Sequence, residues 1–188
     1  AYDVDDLLPA MRNGLSVDGK LLAAPFYGES SMLMYRKDLA DKAGVAIGDK
    51  PTWDQVADFA KKVHDPKGGV YGICLRGKPG WGDNMAFLST LVNTHGGQWF
   101  DMTWKPQLDT KPWNDAITFY VDLLKNYGPP GSAGNSFNEI LSLFNAGKCA
   151  MWIDATIAAS FISDPKQSKV ADKVAFARAP TKATPKGA

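Results

Sequence analysis

The chain has 188 residues, 45% of them hydrophobic, enough to bury a substantial core in one domain or in one domain with an appendage. Twenty-one Lys and Arg face twenty Asp and Glu without long blocks of one sign, which argues against a nucleic-acid or anionic-membrane partner held by bulk charge and favours a neutral ligand. No apolar run approaches the roughly 20 residues of a membrane span, and AYDVDDLLPA lacks the basic and apolar regions of a signal peptide, so the chain reads as a mature or excised segment.

After a short helix expected around Val4 to Met11, LSVDGKLLAAPF predicts a hairpin with Asp18-Gly19 at its turn. The apolar strand SMLMYR leads into a short helix, KDLADKAG, with Gly44 as its stop. In PTWDQVADFAKKVHDP, Thr52 and Gln55 form a capping box, and Val56, Phe59, Ala60 and Val63 recur at helical spacing. The strand VYGICL, the loop RGKPGWGDN and a helix from about Asp83 to Asn93 follow.

GGQWFDMTWKPQLD suggests a small surface hairpin, and KPWNDAITFYVDLLKNYG a helix with apolar positions 116, 117, 120, 121 and 124 and Gly128 as stop. PPGSAGNS is a loop; Ser136 with Glu139 makes a second capping box opening FNEILSLFNAG. KCAMWID reads as a buried strand, ATIAASFIS as a helix and KVAFARAP as a final strand. Apolar strands alternating with helices indicate an α/β sheet covered on both faces.

Cys74 and Cys149 have no CxxC partner and no clustered histidines, which makes zinc improbable. They are either a disulfide between neighbouring strands or two buried thiols. No nucleophilic triad, metal site or cofactor is expected.

Ligands of open α/β sheets collect at the carboxyl ends of strands. Two junctions fit that placement, LRGKPGWGDN and IDATIAA, bringing Arg76, Asp83 and Asn84 to one and Asp154 and Thr156 to the other. A sugar or sugar alcohol pairs apolar C–H faces with a rim of hydroxyls. Trp81 supplies an aromatic plane, Arg76 a forked donor, and Asp154 an acceptor for two adjacent hydroxyls. The competing readings are that Trp81 caps the following helix, that Asp154 is an N-cap, and that Arg76 pairs with a surface carboxylate. Glu29 in PFYGESS is a further candidate, and Asn138 and Phe137 are outside ones. Trp53, Trp99, Trp104 and Trp113 are assigned to packing, and Trp152 to the core.

LAAPFYGESSMLMYRKDLADKAG followed by PTWDQVADFAKKVHDP resembles the crossover strand and YRKDL…KAG…P-TW pattern of the extracellular solute-binding proteins of bacterial ABC sugar importers. FNAGKCAMWIDAT is similar to that family's F..G..AM strand, and ICLRGKPGW with MWIDAT looks most like the branch that binds sorbitol, mannitol and related polyols. The resemblance implies a periplasmic-binding-protein-like (type II) fold of two α/β lobes, each a mixed sheet flanked by helices, closing over ligand and docking on a membrane permease. It carries Trp81, Asp154, Thr156, Glu29, Arg76 and Asn138 into the cleft.

Members of the family run to about twice this length, beyond the usual single domain. The chain therefore reads as a C-terminal lobe at 27–177, with 1–26 arriving from the other lobe and 178–188 returning to it. The expected partners are a polyol or sugar, the N-terminal lobe and an ABC permease, in the periplasm or outside the cell, without nucleic acid. The expected function is non-catalytic binding for import. The rival is a carbohydrate-active enzyme with Glu29 and Asp154 straddling a glycosidic bond; a sensor domain would share the fold.

Overall fold

The computed structural model describes residues 3–26, 28–80 and 82–183. It divides into two compact units, Ala1–Ser30 and Ser31–Ala188.

In the first unit a 3₁₀ turn at Val4–Asp6 precedes helix α1, Pro9–Gly14, and the hairpin of β1, Ser16–Val17, and β2, Lys20–Leu21. The helix starts later than the sequence suggests because Pro9 keeps Leu8 extended (ψ 133°), so no helix can run through that junction. The predicted turn is present: Asp18 and Gly19 both have positive φ, the conformation a two-residue hairpin with native twist requires.

The second unit is built on strands β3, Ser31–Arg36, β4, Met151–Ala155, and β5, Val174–Arg178, in the order β4-β3-β5 and antiparallel throughout. The VYGICL segment runs beside β4 in the parallel sense, through bridges Tyr71–Cys149 and Cys74–Trp152, which makes the sheet mixed. Gly72 interrupts this fourth strand. Its N–H donates to His64 Nδ1 at 3.3 Å, and a Cβ there would lie 2.3 Å from the Ala60 carbonyl oxygen. A bare backbone lets the helix carrying Ala60 press onto the sheet edge.

Side chains of alternating residues reach opposite faces of the sheet. On one face Leu33, Tyr35, Met151 and Ile153 join the core formed with helices α2 (Lys37–Lys42), α3 (Trp53–Val63), α4 (Asp83–Thr94) and α5 (Lys111–Tyr127). On the other, Met34, Cys74 and Trp152 pack with α6 (Phe137–Asn145) and α7 (Ala158–Ile162). The capping box at Thr52 and Gln55 and the stop at Gly44 (φ 64°) are where the sequence places them. Helix α5 turns a slightly different face inward, Trp113, Ala116, Tyr120 and Leu123, and Ile117 is exposed.

Cys74 and Cys149 form a disulfide with a Cα–Cα distance of 5.9 Å, joining the fourth strand to the residues entering β4. Of the tryptophans assigned to packing, Trp53 and Trp113 are buried, and Trp99 stacks edge-on against Trp113. Trp104 is 80% exposed, contrary to that assignment. It sits on the predicted hairpin, closed by the Phe100–Pro106 bridge.

Candidate functional site

Cys74 and Arg76 share one sheet face by strand alternation, as do Trp152 and Asp154. Parallel pairing of their two segments therefore brings Arg76 and Asp154 together at the carboxyl ends of both. The Arg76 guanidinium forms a fork on Asp154, Nε to Oδ2 at 2.7 Å and Nη2 to Oδ1 at 2.5 Å. The two side chains are 13% and 4% exposed, so the pair is shielded and charge-assisted rather than a surface ion pair. The Trp152 indole N–H donates to Oδ2 at 2.9 Å and the Ala155 N–H to Oδ1 at 2.7 Å. Four donors saturate the carboxylate, which has about four lone-pair positions.

The first turn of α4 supplies Asp83, whose Oδ1 lies 3.9 Å from Arg76 Nη1 and accepts a short hydrogen bond from the Ser136 hydroxyl. Ser136 precedes α6, where its N–H donates to Glu139 Oε2 at 2.8 Å; that bond holds the Glu139 carboxyl below the usual carboxylate range. Phe137, the first residue of α6, places its ring 5.3 Å from the Arg76 guanidinium carbon, a cation–π contact. Beneath the cluster, the Tyr120 hydroxyl donates to the Arg76 carbonyl at 2.6 Å, and burial raises its pKa to about 12. Four separate elements thus fix one guanidinium: the fourth strand, β4, and the N-terminal ends of α4 and α6.

Of the predicted residues, Arg76 and Asp154 meet directly. Thr156 follows β4 at the same sheet edge and is half-buried. Asn138 is exposed in the first turn of α6, beside an open groove of about 750 Å³ that also involves Tyr71, Pro129 and Lys148. Glu29 belongs to the first unit and is exposed. Trp81 lies outside the described residues. Asp154 is not an N-cap, since it remains in β4 opposite Met32 and α7 begins only at Ala158. Nor does Arg76 pair with a surface carboxylate, because Asp154 is buried.

Trp152, Ser136 and Tyr120 join the cluster without having been singled out for it. The signal for Trp152 was available: residues two apart in a strand share a face, so Asp154 carries an indole donor beside it. Among the described residues no group of three or more His, Cys, Asp or Glu could hold a metal ion, and no helix is long and apolar enough to cross a membrane.

Residues 1–187 match the sequence profile of the bacterial extracellular solute-binding proteins. The chain belongs to this family. It is 54% identical over 187 residues to the mannitol-binding protein of Pseudomonas aeruginosa, and covers 100% of this chain and 43% of that protein. A solute-binding protein of an ABC transporter from Agrobacterium vitis, solved with bound D-mannitol, superposes with a TM-score of 0.91 at 60% identity, over 96% of this chain and 43% of the other. One from Agrobacterium radiobacter in complex with ribitol gives 0.86 at 30% identity, over 95% and 44%. The chain therefore spans less than half the length of these relatives, and its mixed α/β architecture is consistent with one lobe of the family's fold.

Proposed function

We propose that this chain is one lobe of a receptor that binds an acyclic polyol, of the mannitol or ribitol class, for delivery to an ABC importer. The observation that carries the reading is the Arg76–Asp154 fork. It presents a guanidinium, oriented by a saturated carboxylate and covered by Phe137, at the sheet edge where the two strands end. A guanidinium held this way is a planar donor for vicinal hydroxyls, and its orientation is fixed before ligand arrives. In this reading Asp154 acts by positioning Arg76, Thr156 and Asn138 add polar groups on the same unit, and Trp81 and Glu29 are proposed as further ligand contacts.

The names and ligands of the relatives from Pseudomonas and Agrobacterium support the same class. Segments 1–26 and 178–188 are read as crossings to and from the second lobe, and the location as periplasmic or extracellular. No catalysis is assigned. A glycosidase needs one carboxyl able to give up or take a proton, or to attack a sugar carbon, whereas Asp154 is occupied by four donors.

Calorimetric titration of this chain, and of the two-lobed receptor containing it, with mannitol, sorbitol, ribitol and common hexoses tests the proposal. Polyol binding to the two-lobed protein that falls at least tenfold in Arg76→Lys, which keeps the charge but loses the fork, is the expected result. Affinity unchanged by that substitution, or turnover of the sugar, would overturn it.

A further inference from the structure

The hairpin between α4 and α5 carries a tryptophan that the fold itself does not require. Asp101 organises the turn: its Oδ1 accepts from the Thr103 N–H (2.8 Å), the Thr103 hydroxyl (2.7 Å) and the Lys105 N–H (3.0 Å), and its Oδ2 from Gln107 Nε2 (3.1 Å). The tip is therefore stiff. On it Trp104 has φ +64°, a left-handed conformation that a glycine adopts without strain and a bulky residue resists. Trp104 is 80% exposed and Met102 98%, so the strain is not offset by burial. The ring touches Phe100 at a centroid distance of 5.7 Å and a tilt of 51°, which sets its orientation.

With Trp99, Phe100, Asn93, Gln98 and Asp101, Trp104 lines a pocket of about 420 Å³. That volume suits a small ligand. We propose that this pocket is a second carbohydrate-binding site, one that takes the apolar face of a pyranose ring on Trp104 with the Asn93 and Gln98 amides reaching its hydroxyls. It is separate from the Arg76 cluster. Asp83 of that cluster opens α4, the hairpin follows the other end of the helix, and twelve residues rise about 18 Å.

A pyranose, unlike an acyclic polyol, has a flat patch of C–H groups complementary to an indole. Self-association is a poorer fit. The tip's exposed Phe100, Met102 and Trp104 offer roughly 500 Å², below the ~800 Å² per partner of a stable interface.

The test is a titration of the ¹⁵N-labelled chain with methyl glucopyranoside and with cellobiose, following the Trp104 indole N–H, with mannitol as the acyclic control. The expected result is a saturable shift with a Kd of about 1–10 mM, the range of a single stacking contact. Trp104→Gly, which suits the backbone conformation, weakens it more than tenfold. No shift with either pyranoside, an equal shift with mannitol, or a response retained in Trp104→Gly at other hairpin resonances would overturn the proposal.

Discussion

Replacing Asp154 by Leu removes one partner from a buried ion pair and leaves the other. The Arg76 guanidinium, 13% exposed, loses two charge-assisted bonds, and the Trp152 indole N–H loses its acceptor. Breaking such a pair costs about 3–5 kcal/mol, and an orphaned neutral donor about 1–3 kcal/mol. Asp83 stays 3.9 Å from Arg76 and retains part of the compensation, so we expect a total of about 4 kcal/mol. For a chain of this size that lowers the melting temperature by about 10 °C.

The double variant Arg76→Met/Asp154→Leu removes both charges and leaves the neutral Trp152 indole N–H and Ala155 N–H without their acceptor. It should recover at least half of the loss. Urea denaturation followed by circular dichroism, on the wild type, both single variants and the double, closes the cycle. If Asp154→Leu costs less than about 1 kcal/mol, or if the double variant costs the sum of the singles, the fork is not a coupled buried pair and the account of Arg76 is wrong.

Gly72→Ala would drive a Cβ to 2.3 Å from the Ala60 carbonyl and force α3 off the sheet. A loss of about 1–3 kcal/mol in the same denaturation assay is expected, against no comparable loss for Gly134→Ala, where nothing lies within 4 Å. Tyr120 is protonated more tightly in the folded chain than in the unfolded one, with a pKa of about 12. Its contribution is fully present below pH 10 and is lost as the pH rises from 10 to 12, on the order of 2–3 kcal/mol. Stability measured across that interval should fall less steeply in Tyr120→Phe, and an equal slope in both proteins would refute the assignment.

What depends on near neighbours could be read from the chain alone. Thr52 with Gln55, Asp18 with Gly19, and Gly44 at a helix end all act within a few residues, and each is found in its expected role. What depends on strand order could not. That β3 lies between β4 and β5, and that the fourth strand runs parallel to β4, follows from packing two helical layers at once and leaves no local mark.

The site divides along the same line. Arg76 and Asp154 were recognisable as polar groups at strand ends, but their union, and with it the saturation of Asp154, arises from long-range pairing. Hydrophobicity also misleads at Trp104, because a tryptophan in a turn looks like any other aromatic until its backbone angle and exposure are known.

The position of β3 bears on how the chain comes into being. This central strand is made first, yet the register joins Leu33 to Ile153 and to Ala177, more than a hundred residues later. At the usual 5–20 residues per second of synthesis, it waits about ten seconds without either partner. The sheet cannot close until β4 and β5 have been made, and loop closure of that length makes the pairing slow. The topology that builds this sheet therefore also postpones it.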